Sequence, residues 1–242
     1  MLHEENFKCW HFFGKENIWG AMMRFHLLGL AHVPTRKDIS TCAYSQKIIK
    51  LSKMLMDLGN DVFFYGVENS EVNCTEFIQC LSENELRECY GDYDWSKDFF
   101  KHSPGDSAYN TFNSRAIEEI KARKHRQDIL LITFGNYQKF VADNVGLEVV
   151  ESGVGYEGIF SRYRVFESYV WMHHVYGLLN NKIGHAFDAV IPNYFDPEDF
   201  RATPDYKDDY FLYIGRLIQN KGVEIAIEVC SRLGKRLVIA GQ

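Results

Sequence analysis

The sequence predicts an α/β protein with a Rossmann-like amino-terminal domain on a parallel sheet, followed by the opening of a second such domain. Three observations predict this class. A strand, a helix and a second strand follow one another between residues 24 and 66, an order that implies parallel strands. The run 129–134 is almost entirely apolar, which indicates a strand buried on both faces. A new strand, helix and strand begin at Tyr210, after a polar linker.

The first strand and helix have the clearest local signals. Residues 24–30, RFHLLGL, are mostly apolar and typical of a buried strand. Because Met23 would be a natural start for a domain that opens with a strand, residues 1–21 are interpreted as an N-terminal extension or a misassigned start. Apolar side chains then recur at spacings of three and four between positions 44 and 58, as on one face of a helix. Asp38 or Ser40 is expected to cap this helix.

The later elements alternate in the same way, apart from one polar segment. Residues 68–109 are rich in acidic and aromatic side chains, and we expect short helices and loops there and little else. A helix is predicted over 112–124, and strands over 148–152 and 187–191. A longer helix is predicted over 159–180, with four core contacts: Phe166, Val170, Trp171 and Val175.

A change in composition predicts the domain boundaries. Residues 22–193 form the amino-terminal domain, and residues 194–209 contain two prolines and several acids, as expected of a linker. Residues 210–242 then supply two strands and one helix, which cannot bury their own faces. Either they dock on the first domain or most of a second domain is missing, in which case a separate chain could complete it.

Charge and hydropathy exclude several classes of partner. The 242 residues include 27 Lys and Arg against 33 Asp and Glu, a net charge of −6, which argues against broad nucleic-acid binding. No apolar run of about 18 residues predicts a transmembrane helix, and Glu4 and Glu5 stand where a signal peptide would be basic. We therefore expect a cytoplasmic protein with reduced cysteines. Cys74, Cys80 and Cys89 lack zinc-site spacing, so no metal is expected.

The strongest candidate binding site lies at the turn after the strand that begins at Tyr210. Gly215 and Arg216 follow this strand, and Lys221 and Gly222 precede the next helix. A helix N-terminus offers unpaired N–H groups and a positive dipole end to a phosphate. The arginine can bind two phosphate oxygens while the lysine adds a compact charge, and the glycines let the backbone approach. On spacing alone, the alternative interpretation is that Arg216 and Lys221 are surface residues beside an ordinary turn.

Three segments resemble a known family. Residues 210–228, YFLYIGRLIQNKGVEIAIE, resemble the opening of the C-terminal domain of family 4 glycosyltransferases, which have the GT-B fold. Residues 190–196, VIPNYFD, resemble that family's interdomain I-P-N-G-V-D segment, and residues 58–62, LGNDV, are similar to part of its first Rossmann-like unit. The resemblance spans residues 23–242, and its specific part is 188–242.

The resemblance implies a retaining, metal-independent transferase that moves a sugar from a nucleotide-diphosphate-sugar donor to an acceptor. The donor is a substrate, a UDP- or GDP-sugar, and no cofactor is implied. The acceptor would bind mainly to the N-terminal domain and the donor mainly to the C-terminal one. Arg216 and Lys221 match the family's diphosphate-binding pair, and would act catalytically by stabilising charge on the leaving diphosphate. Gly215 and Gly222 would complete the diphosphate site.

Three departures from the family pattern leave alternatives open. The family's two glutamates, separated by seven residues, have no counterpart before Gln242, so the chain is expected to lack half of a donor site. Residues 39–41, IST, stand where a glycine pair is usual, and 152–154, SGV, replace a common histidine. One alternative is a catalytically incomplete carbohydrate- or nucleotide-binding module or split-enzyme subunit. The other is a sugar-nucleotide epimerase of the same fold.

A second glycine motif lies in the middle of the chain. Gly153, Gly155 and Gly158 match the dinucleotide-binding pattern G-x-G-x-x-G, after a predicted strand and before a predicted helix. No acid ends the next predicted strand, and the motif is not at the first strand-to-helix turn, as that fingerprint requires. We therefore favour a flexible glycine loop facing the interdomain cleft, where Tyr156 and Glu157 could touch sugar hydroxyls. A plain surface loop is the alternative.

Further candidates for the acceptor side are polar residues near predicted strand ends. His32, Thr35, Arg36 and Ser40 follow the first strand. Arg164 follows the glycine loop on the predicted helix and could meet a phosphate or an acidic sugar, or could be solvated. His173 is a candidate hydrogen-bonding residue, and because adjacent helical residues do not face one direction, its neighbour His174 would not join it in a metal site.

Overall fold

The computed structural model describes residues 22–92, 94, 101–200 and 209–241. The predicted extension, residues 1–21, and much of the predicted linker lie outside the described residues. Contacts divide the chain into two compact units, residues 1–194 and residues 195–242, called unit 1 and unit 2 below.

The described part of unit 1 is an α/β fold around one sheet of seven parallel strands. The strands are β1 (Arg24–Leu28), β2 (Asp61–Val67), β3 (Glu76–Leu81), β4 (Ile129–Ile132), β5 (Glu148–Val154), β6 (Tyr163–Phe166) and β7 (Asp188–Val190). The helices are α1 (Ala43–Asp57), α2 (Glu83–Tyr90), α3 (Ser107–Arg123), α4 (Lys139–Val145) and α5 (Tyr169–Leu178). The strand order is β3-β2-β1-β4-β5-β6-β7, which confirms the predicted Rossmann-like parallel sheet. None of the described helices is long and apolar enough to cross a membrane.

Helix α1 begins later than its expected caps. Cys42 occupies the N-cap position, and its Sγ accepts a hydrogen bond from the backbone N–H of Ser45 at 3.4 Å. The prediction of Asp38 or Ser40 as the cap was therefore wrong. The end of the helix is as expected, because Gly59 follows the C-cap with φ +80°, in the left-handed region that glycine tolerates best.

The segment 68–109 contains more regular structure than its composition indicated. Strand β3 lies at the edge of the sheet, followed by α2 and the first turn of α3. Ile78, Cys80 and Leu81 of β3 are buried, while Phe77 is exposed, because an edge strand presents part of its surface to solvent. Because polar and apolar residues are mixed in β3, the sequence did not predict this strand. Helix α2 starts with a capping box between Ser82 and Glu85.

The predicted helix over 159–180 was wrong in its first part. Strand β6 lies there, and α5 begins after it. Ser168 separates the two elements, because its hydroxyl oxygen accepts a hydrogen bond from the N–H of Trp171 at 3.1 Å and caps α5. Val175 is buried as predicted, whereas Val170 is 77% exposed. Short apolar runs do not distinguish a strand from a helix.

Helices cover both faces of the sheet around β1. Leu27 packs in a cluster with Ile48 of α1, and Leu28 packs in another with Phe112 of α3. Because successive side chains of a strand point to opposite faces, β1 is buried on both sides. The centre of unit 1 is therefore a three-layer core of helix, sheet and helix, and the loops lie at the ends of the strands.

Unit 2 consists of β8 (Phe211–Ile214), α6 (Val223–Arg232) and β9 (Leu237–Ala240), with the two strands parallel. Among its described residues, Val223 and Cys230 are the buried ones. Many apolar side chains stay exposed on its strands and helix: Phe211, Leu212, Ile214, Ile225, Ile227, Val229 and Leu233. As expected of two strands and one helix, the described part of unit 2 does not bury its own faces.

Candidate functional site

The carboxyl ends of β1 and β4 mark the point where the strand order of unit 1 reverses. From β1 the chain moves outward through β2 to β3, and β4 then pairs with the other side of β1. Loops that leave neighbouring strands in opposite directions open a crevice, where sheets of this type bind ligands. We therefore define the carboxyl-edge site as the loops 29–42 and 133–138, with the loops after β5 and β6 beside them.

A buried amide, that of Gln138, joins the two central loops. Its Oε1 accepts hydrogen bonds from the N–H groups of Thr133 and Phe134 at 2.9 and 3.1 Å. Its Nε2 donates to the carbonyl oxygen of Gly29 at 2.8 Å. Gly29 also approaches β2 closely, since a Cβ there would lie 2.8 Å from the carbonyl oxygen of Tyr65. The base of the site is thus held by contacts that neither loop could make alone.

His32, a candidate from the sequence, lies buried at the base of this site. It is 2% exposed, and its Nδ1 lies 2.8 Å from the hydroxyl oxygen of Tyr109. Burial, together with the neighbouring His102, lowers the pKa of His32 to about 3. The imidazole is therefore neutral at pH 7, which suits it to positioning its neighbours.

Burial of His32 predicts a loss of stability in mild acid. In the unfolded chain its pKa is about 6.5, so below that pH the unfolded state binds a proton that the native state excludes down to about pH 3. The unfolding equilibrium should shift tenfold per pH unit toward the unfolded state. Between pH 6.5 and pH 5 this group alone should cost about 2 kcal/mol, measured by urea denaturation. His26, whose pKa burial also lowers, should add to the effect.

The variant His32→Gln should show a smaller change of unfolding free energy between the two pH values than the wild type. His173→Gln is the matched control, because His173 is exposed on α5 and its replacement should leave the pH dependence unchanged. If the unfolding free energy of the wild type and of His32→Gln fell equally between pH 6.5 and pH 5, the lowered pKa of His32 would not be the cause of the pH dependence.

Aromatic side chains continue the site beyond His32. The ring of Phe134 lies 5.6 Å from that of His32 and 4.9 Å, edge-on, from that of Tyr44. Tyr156, predicted as a sugar contact, lies 6.3 Å beyond Tyr44. Gly135 permits this approach, since a Cβ there would lie 2.7 Å from the Tyr156 ring. The three aromatic residues are only partly buried, so the site offers ring surface of the kind that lines ligand pockets.

An ion pair borders the site beside these rings. Lys47 of α1 contacts the carboxylate of Glu167, and its Nζ donates a hydrogen bond to the carbonyl oxygen of Gly153 at 3.2 Å. A Cβ at Gly155 would overlap the Glu167 carboxylate. The structure therefore gives Gly153 and Gly155 a packing role, in which they bring the ends of α1, β5 and β6 together.

The glycine motif does not have the geometry of a dinucleotide fingerprint. Its loop leads from β5 into β6, not into a helix as predicted, so no helix N-terminus follows the glycines. The carboxylate of Glu151 accepts hydrogen bonds from the N–H groups of Phe160 and Ser161 at 3.0 and 2.8 Å. Burial raises the pKa of Glu151 despite these bonds. The loop is therefore a crossover held by a buried carboxyl group.

The candidates after β1 differ in their surroundings. Arg36 donates to both carboxylate oxygens of Asp38, at 3.0 and 2.6 Å, and this hydrogen bonding lowers the pKa of Asp38. Thr35 is 1% exposed, and its hydroxyl has no hydrogen-bond partner among the described residues. Ser40 is exposed. The guanidinium of Arg36 is thus engaged within its own loop, which weakens its interpretation as an anion ligand.

Arg164 and its partner belong to the sheet. Arg164 lies in β6, not on a helix as predicted, and donates to both carboxylate oxygens of Asp188 in β7 at 2.6 and 2.8 Å. Tyr176 of α5 donates to the same carboxylate at 2.7 Å. Both members of the ion pair are buried, so Arg164 stabilises the junction of β6, β7 and α5.

The two adjacent histidines of α5 differ in their contacts. His173 is exposed, with its ring 6.4 Å from that of Tyr169. It is His174 whose Nε2 lies 3.1 Å from a carboxylate oxygen of Glu157. The glycine loop is therefore linked to α5 through His174, and Glu157 is already engaged by this contact.

A concave surface at the opposite edge of the sheet contains another buried network. Arg24 and Asp128 line this surface. Asp128 accepts hydrogen bonds from Arg24, and its carboxylate lies 2.9 Å from Nε2 of His26. The Nδ1 of His26 lies 2.7 Å from the hydroxyl of Tyr65. Because Rossmann-like sheets bind ligands at the carboxyl ends of their strands, we interpret this network as structural.

In unit 2, the loop between β8 and α6 carries the predicted diphosphate residues. The hydroxyl of Tyr213 lies 3.1 and 3.3 Å from the carbonyl oxygens of Arg216 and Lys221 and can donate a hydrogen bond to either one. Gly222 occupies the N-cap position with φ +70°, so no side chain caps α6. Gly215 leads from β8 into this loop, and both cations are exposed. Two basic residues and an uncapped helix N-terminus therefore share one turn.

Sequence reasoning missed several residues that organise these sites: Lys47, His102, Gln138, Glu151 and Asp188. Each is a single polar side chain, and no local spacing in the sequence marks the contacts that it makes. The polar residue at the start of the predicted strand 187–191 was the one available signal for Asp188. Comparison with protein-family models and with curated protein sequences found no match.

Proposed function

We propose that the chain belongs to a GT-B-type glycosyltransferase that transfers a sugar, with retention and without a metal, from a nucleotide-diphosphate-sugar donor to an acceptor. One observation carries the proposal. Arg216 and Lys221 flank a loop that opens an uncapped helix, within the segment that resembles family 4 glycosyltransferases. The Rossmann-like sheet of unit 1 supports the proposal, since the resemblance implies a domain of this kind on the acceptor side.

In the proposed reaction, the bond between the anomeric carbon and the diphosphate oxygen breaks while a bond to an acceptor hydroxyl oxygen forms. The hydroxyl proton is released and the nucleoside diphosphate leaves. Negative charge grows on the diphosphate as the bond breaks, so donors aimed at that group stabilise the transition state. The guanidinium of Arg216, the ammonium of Lys221 and the N–H groups of α6 would supply this stabilisation.

Arg216→Ala and Lys221→Ala should each weaken the binding of UDP or GDP about 10- to 100-fold, because a hydrogen bond to a charged group contributes roughly 1.5–3 kcal/mol. Isothermal titration of the full chain measures this affinity. Arg232→Ala is the matched control, since Arg232 is an exposed arginine at the other end of α6, paired with Glu228, and its loss should leave the affinity unchanged.

Hydrolysis of UDP- and GDP-sugars, with and without added sugar acceptors, then separates the candidate functions. Release or transfer of the sugar by the wild type, reduced in both variants, supports the transferase. Unchanged turnover in both variants would refute the leaving-group role. Nucleotide binding without turnover would favour the binding module, and an epimerised free sugar formed without acceptor would favour the epimerase.

A further inference from the structure

His102 covers the buried His32 at the carboxyl-edge site. Their rings stack with a centroid distance of 4.4 Å and an interplanar angle of 27°, and the ring of Phe134 meets that of His102 edge-on at 5.4 Å. His32 is itself held by Tyr109. The exposed imidazole of His102 therefore rests on a fixed aromatic base, next to the ring surface that continues to Tyr44.

The orientation of the His102 ring is set by a hydrogen bond. Its Nδ1 lies 2.9 Å from the hydroxyl oxygen of Tyr137, and the carbonyl group of Tyr137 accepts a hydrogen bond from Asn113 at 3.0 Å. Asp106 holds the adjoining loop by accepting from the N–H of Ser103 at 2.9 Å. Among the described residues, Nε2 of His102 has no hydrogen-bond partner. The ring is thus prepared to make one further hydrogen bond.

The charges around His102 favour a neutral partner. Partial burial of its ring, one face of which stacks on His32, lowers the pKa of His102, so the neutral form predominates at pH 7, as it does for His32. Two of the basic side chains at this site, Arg36 and Lys47, are ion-paired with Asp38 and Glu167. A hydroxyl group can donate or accept, so it matches either tautomer of His102. Aromatic rings next to a neutral hydrogen-bonding group suit a ring-shaped polyol better than a phosphate.

We propose that His102 is a specificity-determining residue that hydrogen-bonds a hydroxyl group of the acceptor through Nε2. The acceptor is a neutral sugar or cyclitol whose ring packs on the aromatic side chains Phe134 and Tyr44. Its role as acceptor rests on the proposed function. The residues that form the site all belong to unit 1.

The test uses NMR spectra of the histidine ring nitrogens in the full chain. The probes are methyl α-D-glucopyranoside, methyl α-D-mannopyranoside and myo-inositol, with glucose 6-phosphate as the anionic comparison. A neutral probe should shift the Nε2 signal of His102 saturably. His102→Ala should weaken binding of that probe about three- to tenfold, as expected for the loss of one neutral hydrogen bond. His102→Gln should restore much of it, because its amide can donate or accept. His125→Ala should bind as the wild type does, because His125 is exposed at the opposite edge of the sheet.

Three results would overturn the proposal: no saturable shift with any neutral probe, tighter binding of glucose 6-phosphate, or equal losses in His102→Ala and His102→Gln. Near-ultraviolet circular dichroism verifies the fold of each variant, and the wild-type Nε2 shift remains a test if a variant is unfolded. Failure of the proposed function is distinguishable, since it would appear as unchanged nucleotide binding in the Arg216 and Lys221 variants while polyol binding at His102 persists.

Discussion

Replacement of Asp188 by alanine should destabilise unit 1 by about 3–5 kcal/mol, the cost typical of breaking a buried ion pair from one side. The Asp188 carboxylate is 1% exposed and accepts hydrogen bonds from Arg164 and Tyr176. Without it, the guanidinium of Arg164 stays buried with its charge uncompensated. Urea denaturation of the full chain, followed by far-ultraviolet circular dichroism, measures the free energy of unfolding.

Two further variants identify the cause of this loss. Asp143→Ala removes an exposed carboxylate paired with Lys139 within one helix, and such pairs contribute only about 0.3–0.5 kcal/mol. The double variant Arg164→Met, Asp188→Leu removes both buried charges and should recover most of the stability lost by Asp188→Ala. If Asp188→Ala were as mild as Asp143→Ala, the ion pair would not be what holds β6 to β7.

Gln138→Met should cost about 3 kcal/mol or more. The replacement conserves the length of the side chain but leaves the N–H groups of Thr133 and Phe134 and the carbonyl group of Gly29 without their partner. Each buried group left unpaired costs about 1–3 kcal/mol. Because these groups belong to both central loops of the carboxyl-edge site, polyol binding at His102 should weaken as well. Urea denaturation and the NMR titration measure the two effects.

Gln127→Met is the matched control, because Gln127 is exposed and its replacement should change stability by no more than about 0.5 kcal/mol. A Gln138→Met variant as stable as this control would show that the loops after β1 and β4 are held by other contacts. If Gln138→Met were destabilised but still bound the polyol normally, Gln138 would stabilise the fold without positioning the polyol site.

Local periodicity was sufficient for much of unit 1. The spacing of apolar residues between 44 and 58 predicted α1, and the apolar runs predicted β1, β2 and β4. Periodicity did not predict the strands that are only partly buried or that bury a charged side chain. Strand β3 carries polar residues because it lies at the edge of the sheet, and β6 contains the buried Arg164, which looked like a helix-surface charge. In both cases the neighbours in the sheet decided the conformation.

The candidate site divides in the same way between sequence and tertiary structure. The order of strands and helices was enough to predict a parallel sheet with loops at its carboxyl edge, among them the loop that carries His32. The glycine motif, a local pattern, drew attention to Tyr156. The approach of His102 to His32, of Lys47 to Glu167 and of Gln138 to both loops was decided only in the tertiary structure. The periodicity of a segment records which of its faces is buried, whereas a polar contact depends on which distant segment the strand order brings to that face.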